Sequence, residues 1–373
     1  MILYIDHQVP RPDEDAGSLR ASGMLRILRM LGYKVALSAE DDSPRRHHLQ
    51  RLAELDIEVI PLPQLAERLG GESLRPDLVI VARTNVAVAV MPILRAHVPG
   101  VPVVFDTVDL HHRRAAREAA LQREAGASLR ALAVKAEELA IARLSDLVWV
   151  VSEVERQALL AEDPGLRISV LSMIHEIPTR SAGYAERDGL GFVGGFRHAP
   201  NVDAVRFLVQ DVFPRVRAAR PDVSLAIVGA DMPARIRALE SPGIAMMGHV
   251  ADLDPLLARW RVFVAPLRYG AGVKGKITQA LSLGLPTVTT SQGAEGMGLR
   301  HGEDILIADT PAAFAATVLT LYESPQQWER LSRGGRTSIE ERFSFAAATA
   351  RMREDLARLG HLARPGGAAS GTE

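Results

Sequence analysis

The sequence has 373 residues, of which 47% are hydrophobic and 24% are charged, so it is long enough to form two globular domains with sizeable cores. Its net charge of -1 gives no electrostatic basis for a nucleic-acid partner, and the absence of cysteine excludes disulfides and thiolate metal sites. The opening MILYIDHQVP lacks the features of a signal peptide, and no apolar stretch reaches the roughly 18 residues of a membrane span. We therefore expect a cytoplasmic protein.

Short apolar runs alternate with helical patterns through the first half of the chain. The runs MILYI, KVALS, IEVIPL, DLVIVA and VPVVF are predicted as buried strands, and each except the last is followed by a helix-length segment. A long segment rich in Ala, Arg and Glu follows from Arg113 to Leu144, and DLVWVVS is predicted as a further strand. This alternation is typical of a doubly wound α/β domain, which we assign to residues 1–173.

The alternation stops and then restarts in the second half. Residues 174–188 lose periodicity and gather proline and glycine, so they are predicted as a linker. GLGFVGG, SLAIVGA, GIAMMG, RVFVAPL, LPTVTT and DILIAD then predict a second parallel-sheet domain over 189–345. We expect two Rossmann-like, doubly wound domains facing one cleft, a helix over 346–360 that returns to the first domain, and a disordered tail over 361–373.

The segment GAGVKGKIT, residues 270–278, joins the strand RVFVAPL to the next helix. A strand, a glycine turn and a helix N-terminus bring backbone N–H groups and the positive end of the helix dipole to one point, which favours phosphate binding. Lys274 and Lys276 add two cations. On the local sequence alone, a simple tight turn with solvated lysines is an equal alternative.

The same segment comes within one residue of the P-loop pattern G-x-x-x-x-G-K-[ST]. Ile277 stands where that pattern requires a hydroxyl for magnesium, and Thr278 comes one position too late. The following strand LPTVTT also ends without the carboxylate that a P-loop enzyme needs. A general phosphate cradle is therefore favoured over a P-loop.

The chain from about Gly189 to Ala350 resembles the donor half of retaining nucleotide-sugar glycosyltransferases of family 4, which have the GT-B fold. The resemblance rests on GFVGGFRHAPNVDAVRFL, on GHVADLDPLLARWRVFVAPLRYGAGVKGKITQALSLGLPTVTT and on GAEGMGLRHGEDILIAD. The opening PRPDEDAGSLRASGMLRILRMLGYKV is similar to the family's N-terminal glycine loop and helix. The resemblance implies transfer of a sugar from a nucleoside diphosphate sugar to a hydroxyl acceptor with retention. It implies a donor on the second domain, an acceptor on the first and no cofactor.

The resemblance also implies roles for individual residues. Those expected to bind the donor are Gly194, Gly195, Arg197, His249, Val250, Arg268, Gly272, Lys274, Lys276, Gln279 and Glu295. The acceptor-side loop is expected to include Asp15, Gly17 and Ser18. The two glutamates of the family's E-x7-E pattern fall at Ala271 and Gln279, so this pattern is degenerate here. A glutamine can still donate and accept, but it lacks the charge that makes a carboxylate a strong acceptor.

The segment DTVDLHHRR follows the strand VPVVF, where the family commonly carries an acidic residue or a histidine that faces the reacting sugar carbon. Asp109 and His111 are therefore the predicted catalytic residues, because a carboxylate stabilises the oxocarbenium-like state of glycosyl transfer. The alternative is that Asp109 caps the helix that follows. The D-x-D pairs at Asp13 and Asp252 are interpreted as solvation and capping, and no metal site is predicted.

Two other functions stay open at this stage. A non-hydrolysing nucleotide-sugar epimerase shares the two-domain architecture, and the degenerate acids also fit a catalytically inactive nucleotide-sugar-binding partner subunit. For a glycosyltransferase of this kind the expected acceptor is a glycan, a lipid-linked glycan or a cell-surface polysaccharide. A membrane-bound acceptor would allow peripheral contact with the inner face of the membrane through SPRRHHLQRL, although a solvated basic helix is favoured for that segment.

Overall fold

The computed structural model describes residues 1–40, 45–71, 73–113, 125–270 and 272–360, and these form two compact units. The first unit contains Met1–Pro12, Gly17–Ile174 and the described residues from Ala348 onward, and the second contains Asp13–Ala16 and His175–Ala347. Part of the segment predicted as helical after Arg113 lies outside the described residues, as does the tail predicted over 361–373. No helix in the described ranges is long and apolar enough to cross a bilayer.

The first unit is built on a seven-stranded parallel sheet with the strand order β3-β2-β1-β4-β5-β6-β7. Its strands are β1 (Ile2–Asp6), β2 (Val35–Ala39), β3 (Ile57–Pro61), β4 (Leu78–Ala82), β5 (Val103–Asp106), β6 (Leu147–Val150) and β7 (Ile168–Val170). The six strands predicted from sequence are confirmed, and β7 is an additional strand. Every residue of β1, β2 and β4 is buried, as expected for parallel strands covered on both faces.

Helices connect these strands in the manner of βαβ crossovers. They are α1 (Ala16–Met30), α2 (Arg46–Glu54), α3 (Leu65–Gly70), α4 (Thr84–His97), α5 (Ala125–Leu144) and α6 (Glu153–Glu162). Helix α6 begins with a capping arrangement, because Ser152 Oγ accepts from Glu155 N at 3.3 Å. The side chains of the central strands and of α4 form one hydrophobic core.

The second unit has a six-stranded parallel sheet with the order β10-β9-β8-β11-β12-β13. Its strands are β8 (Leu190–Val193), β9 (Leu225–Val228), β10 (Ile244–Gly248), β11 (Val262–Ala265), β12 (Thr287–Thr289) and β13 (Leu306–Ile307). All six had been predicted. The chain therefore contains two Rossmann-like parallel-sheet domains, which confirms the predicted fold class.

The helices of the second half follow the same alternation. They are α7 (Ala199–Phe207), α8 (Phe213–Ala219), α9 (Ala234–Arg237), α10 (Asp254–Arg259), α11 (Gly275–Ser282), α12 (Ser291–Ala294), α13 (Pro311–Glu323), α14 (Pro325–Phe343) and α15 (Phe345–Arg358). Thr310 and Ser324 cap α13 and α14, and each is followed by a proline at the first helical position. The helical pattern predicted after Thr310 is thus present as three consecutive helices.

Each sheet contains one point at which the strand order reverses. In the first unit it lies between β1 and β4, and in the second between β8 and β11. Successive crossovers leave such a point in opposite directions, which opens a crevice at the carboxyl ends of the two strands, and ligands of doubly wound proteins bind there. Functional residues are therefore expected at these two crevices.

Candidate functional site

The crevice of the second unit has a glycine-containing turn on each side. Gly194 and Gly195 follow β8, and Gly270 and residues 272–274 lie between β11 and α11. Strands β8 and β11 are paired in parallel, with Leu190 opposite Val262, so both strands end at the same edge of the sheet. The two segments predicted to bind phosphate therefore flank one crevice.

Gly194 and Gly195 have different surroundings. A Cβ built on Gly194 would lie 2.7 Å from Asn201 Cγ, so a side chain there would force Asn201 to move. A Cβ on Gly195 would meet no atom within 4 Å. The Asn201 side chain holds this turn by donating to Gly195 O at 2.8 Å. The backbone at Gly195 is thus fixed in place and open to a ligand, whereas Gly194 is needed for packing.

The glycine loop before α11 depends on backbone angles that favour glycine. Gly270 has φ 138° and Gly272 has φ 68°, both in the positive region that other residues enter only with strain. Lys274 Nζ donates to Gly272 O at 2.6 Å, so the lysine side chain folds back on the loop. Helix α11 then begins without a side-chain cap. A phosphate oxygen can therefore occupy the place that a cap would otherwise take.

Lys276 and Gln279 are joined by hydrogen bonds to a third side chain. Lys276 Nζ donates to Gln279 Oε1 at 3.3 Å, and Gln279 Nε2 donates to Asp254 Oδ1 at 3.0 Å. Burial lowers the pKa of Lys276, and the charges of Asp15 and Asp254 oppose that shift. The ammonium of Lys276 is therefore poorly hydrated and is placed one residue inside the helix N-terminus. The position of the first family glutamate, Ala271, lies outside the described residues.

The P-loop interpretation finds no support in this geometry. Ile277 is buried, and the Thr278 hydroxyl donates to Gly275 O at 3.0 Å and lies 2.7 Å from His175 Nε2. Burial, followed by the charge of Lys276, lowers the pKa of His175 to about 3, so His175 is neutral at ordinary pH. Because the hydroxyl proton points to Gly275, His175 Nε2 is the donor to Thr278. Thr278 thus has internal partners on both sides and holds the first turn of α11.

Other predicted donor residues interact with side chains of the same unit. Arg197 Nε forms an exposed ion pair with Asp231 at 2.8 Å. Arg268 Nε donates to Asp203 Oδ2 at 2.9 Å, and its guanidinium lies 5.0 Å from the centre of the Phe207 ring.

Glu295 accepts a hydrogen bond from Gln292 Nε2 at 2.7 Å, and the same nitrogen donates to Gly270 O at 3.1 Å. Glu295 is thereby linked to the glycine loop. His249 and Val250 follow β10, which is separated from β8 by β9, so they lie at the same edge of the sheet but farther from the strand reversal.

The capping predicted for the D-x-D pair at Asp252 is not found. Asp252 Oδ1 accepts from Asp254 N at 3.2 Å, which closes a local turn, and α10 begins after Leu253 without a side-chain cap. Asp254 itself bonds to Gln279, a partner that the sequence analysis did not foresee.

The crevice of the first unit contains an ion-paired carboxylate that the sequence analysis missed. Asp6 ends β1, and its Oδ1 accepts from His7 N at 2.7 Å, from His7 Nδ1 at 2.8 Å and from Arg83 Nε at 2.8 Å. Arg83 follows β4 and has φ 73°. A non-glycine residue with positive φ at a strand end is strained, and such strain is concentrated at functional sites.

The loop after β5 is held by a buried ion pair. Arg20 Nη1 donates to Asp106 Oδ2, and Arg20 Nη2 donates to Leu171 O at 2.8 Å. Asp106 Oδ1 also accepts from Val108 N at 3.3 Å, and Val108, a β-branched residue, has φ 62°. Asp106 therefore shapes the loop that carries Asp109 and is itself occupied by internal partners.

Asp109 and His111 contact each other. His111 Nε2 lies 2.9 Å from Asp109 Oδ1, and each side chain is 21% exposed, so both remain accessible to a ligand. The amides that a capping Asp109 would bind go elsewhere, because Glu138 Oε1 accepts from His111 N at 2.7 Å and Glu138 Oε2 accepts from His112 N at 3.3 Å. Glu138 was not predicted, because it reaches this loop from α5.

A second buried carboxylate lies beneath the same loop. Glu155 Oε1 accepts from Leu110 N at 3.5 Å and Glu155 Oε2 accepts from Val151 N at 3.1 Å. Burial raises the pKa of Glu155 to about 7, and the charge of Asp109 adds to the increase. Of these two carboxyl groups, Asp109 is the more exposed.

The acceptor-side loop is divided between the two units. Ser18 is buried in the first unit, where its Oγ accepts from Gln8 Nε2 at 3.2 Å, and Gly17 lies in the first turn of α1. Asp15 belongs to the short segment Asp13–Ala16 that groups with the second unit, and its charge acts on Lys276.

Residues 187–324 match the family described as glycosyl transferases group 1. This match covers most of the second unit and less than half of the chain. An uncharacterised 44.6 kDa protein in the cps region of Klebsiella pneumoniae is 26% identical over 161 residues, which are 41% of this chain and 42% of that protein. The alignment thus spans less than half the length of this relative.

Solved structures match over nearly the whole chain. Anabaena HepE in complex with UDP and glucose gives a TM-score of 0.67 at 16% identity, covering 95% of this chain and 99% of HepE. Sucrose-phosphate synthase of Thermosynechococcus elongatus gives 0.72 at 16% identity, covering 97% and 99%. A glycosyltransferase of Rickettsia africae gives 0.67 at 11% identity, covering 97% and 99%. The chain has the GT-B fold of these proteins, and the family match together with this fold supports a glycosyltransferase.

Proposed function

We propose that the protein transfers a sugar from a nucleoside diphosphate sugar to a hydroxyl acceptor, with retention of configuration and without a metal ion. The observation that carries this proposal is the crevice between β8 and β11. There an open glycine backbone at Gly195 and an uncapped helix start at Gly275 flank one point, with Lys274 and Lys276 beside it. This combination favours a diphosphate over a neutral ligand.

The leaving group explains why positive charge is needed at this point. When the bond between the anomeric carbon and the diphosphate breaks, negative charge develops on the diphosphate. The N-terminal N–H groups of α11 and the two ammonium groups stabilise that charge without reorganising. The poorly hydrated Lys276 interacts more strongly with it than a fully solvated lysine would. In the proposed step the acceptor attacks from the leaving-group face, and the departing phosphate oxygen takes the acceptor's proton.

On the first unit we propose Asp109 as the carboxylate that stabilises the positive charge of the oxocarbenium-like state. His111, 2.9 Å from Asp109, is proposed to hydrogen-bond a sugar hydroxyl or the acceptor. The hydrogen bonds that the His111 and His112 backbone N–H groups donate to the Glu138 carboxylate support this assignment. They give the capping role to Glu138 and not to Asp109.

The proposed acceptor is a glycan, a lipid-linked glycan or a cell-surface polysaccharide. Polysaccharide is the first of these classes to test. For a lipid-linked acceptor, we propose that the protein works in the cytoplasm at the inner face of the membrane.

Incubation with a panel of nucleotide sugars, followed by chromatography of nucleotides and sugars, tests the proposal. UDP-glucose comes first, because HepE was solved with UDP-glucose. Release of nucleoside diphosphate that accelerates when a hydroxyl acceptor is added supports sugar transfer, and the anomeric configuration of the product tests retention. Conversion of the sugar without release would indicate an epimerase, and binding without turnover would indicate an inactive binding subunit. Either result contradicts the proposal.

A further inference from the structure

In the first two turns of α11, just after the glycine loop, two side chains and a third from α10 form a continuous hydrogen-bonded chain. Lys276 Nζ donates to Gln279 Oε1, and Gln279 Nε2 donates to Asp254 Oδ1. These bonds fix the orientation of the Gln279 amide, since an ammonium can only donate and a carboxylate can only accept. The oxygen of the amide faces Lys276 and its nitrogen faces Asp254.

The location of this chain follows from the topology. Helix α10 runs from the carboxyl edge of the sheet back toward the start of β11, so its first residue, Asp254, lies at that edge. Helix α11 starts at the same edge, and Gln279 lies one turn after Gly275. Asp254 is exposed and Gln279 is half-buried, so both are accessible from solvent.

Asp254 and Gln279 together offer a hydrogen-bond acceptor and a hydrogen-bond donor to a ligand. An ionised carboxylate has about four lone-pair positions, and Gln279 occupies one of those on Asp254. The Gln279 amide has a second N–H beyond the one given to Asp254. A carboxylate acceptor next to an amide donor is complementary to two neighbouring hydroxyl groups, one donating to Asp254 and the other accepting from Gln279.

We infer that Asp254 is a donor-binding residue that, together with Gln279, binds a vicinal diol attached to the diphosphate. This inference rests on the proposed function. In a nucleoside diphosphate sugar such a diol comes from the ribose or from the transferred sugar. Asp254 thereby supplies from α10 the negative charge that residue 279 lacks.

The experiment exchanges the carboxylate of residue 254 and the amide of residue 279. Asp254→Asn removes the carboxylate, Gln279→Glu places a second carboxylate beside the first, and the double variant Asp254→Asn with Gln279→Glu restores one carboxylate and one amide in exchanged positions. We expect each single variant to raise the Kd for the diol-bearing ligand about tenfold or more, and the double variant to recover most of that loss. Asp222→Asn is the control, because Asp222 precedes β9 at the amino edge of the same sheet.

Calorimetry with UDP, 2′-deoxy-UDP, 3′-deoxy-UDP and UDP-glucose identifies the diol. If the ribose is bound, Asp254→Asn weakens UDP strongly and a deoxy analogue little. If the sugar is bound, UDP is unchanged and UDP-glucose weakens. The inference would be overturned if Asp254→Asn bound all four ligands with unchanged affinity. It would also be overturned if the variant lost equal affinity for UDP and for both deoxy analogues. In either case, UDP binding by the wild type would still support the phosphate-binding site before α11. A wild-type protein that binds neither UDP nor UDP-glucose would refute a UDP-sugar donor and, with it, the binding of a UDP-borne diol by Asp254 and Gln279. Thermal melting of each variant identifies any loss caused by unfolding.

Discussion

Replacement of Lys274 or Lys276 by alanine is the sharpest test of the phosphate cradle. Lys274 Nζ donates to Gly272 O and Lys276 Nζ donates to Gln279 Oε1, so both ammonium groups lie beside the uncapped start of α11, where we propose that the diphosphate binds. A hydrogen bond to a charged group contributes about 1.5 to 3 kcal/mol, so either variant should raise the Kd for a nucleoside diphosphate by about 10- to 150-fold.

Isothermal titration calorimetry with UDP and with uridine measures this change. The free nucleoside should bind almost equally to the wild type and to both variants, because it carries no phosphate. Lys276→Met is the matched control for packing, since it keeps an apolar side chain of similar length and removes only the ammonium group with its charge and N–H donors. It should lose diphosphate affinity as Lys276→Ala does.

Two further measurements separate a phosphate cradle from a P-loop. Diphosphate affinity should survive chelation of divalent ions, and Ile277→Ser should not create an ATPase, because Thr278 already has internal partners. Unchanged diphosphate affinity in both lysine variants would refute the reasoning and would leave the segment as a simple turn.

Five other substitutions have defined outcomes. Gly195→Ala should melt like the wild type, because its Cβ meets only open space, and should bind diphosphate more weakly, because that Cβ would occupy space next to the ligand. Gly194→Ala should lower the melting temperature, because its Cβ would contact Asn201. Diphosphate affinity of Gly195→Ala equal to that of the wild type would argue against a ligand at Gly195. Asp109→Asn should lower kcat strongly with little change in donor affinity, and normal kcat in steady-state assays would remove it from catalysis. Folding raises the pKa of Glu155 from 4.5 to about 7, so its ionisation should reduce the free energy of unfolding by about 2.5 kcal/mol between pH 5 and 8, and urea titrations of Glu155→Gln should lack that loss. Folding lowers the pKa of His175 from 6.5 to about 3, so acidification from pH 7 to 5 should reduce the free energy of unfolding by about 2 kcal/mol, a dependence that His175→Gln should not show.

The strands were predictable because each is a short apolar run whose neighbours along the chain are helical. Strand β7 escaped prediction because Ile168–Val170 has only three residues and is half-exposed at the outside of the sheet, so its sequence carries no clear period. The glycine loop was equally predictable, since a strand, a turn and a helix start are consecutive in sequence.

The contacts that tune the candidate site were not predictable in this way. Gln279 and Asp254 are 25 residues apart, and Glu138 is 27 residues from His111. In each case the sheet and its crossovers bring together two helix ends or a helix and a loop. Arg187 shows the same limit, because it falls in the predicted linker yet is buried and donates to Leu257 O at 2.6 Å and to Leu283 O at 2.8 Å. Local composition indicated an irregular segment and carried no signal for these distant carbonyls.

The buried indole of Trp149 determines how the first domain can be completed during synthesis. Its Nε1 donates to Asp355 Oδ2 at 2.8 Å, and Asp355 is buried in the same unit although 206 residues separate the two. A ribosome must therefore finish the whole second domain before the partner of Trp149 emerges. A fragment ending at Ile174 would leave that indole N–H without its acceptor and would lose the contribution of α15 to the core. The first domain should accordingly reach its full stability only after the second has been made, and a peptide covering α15, added separately, should stabilise the isolated fragment.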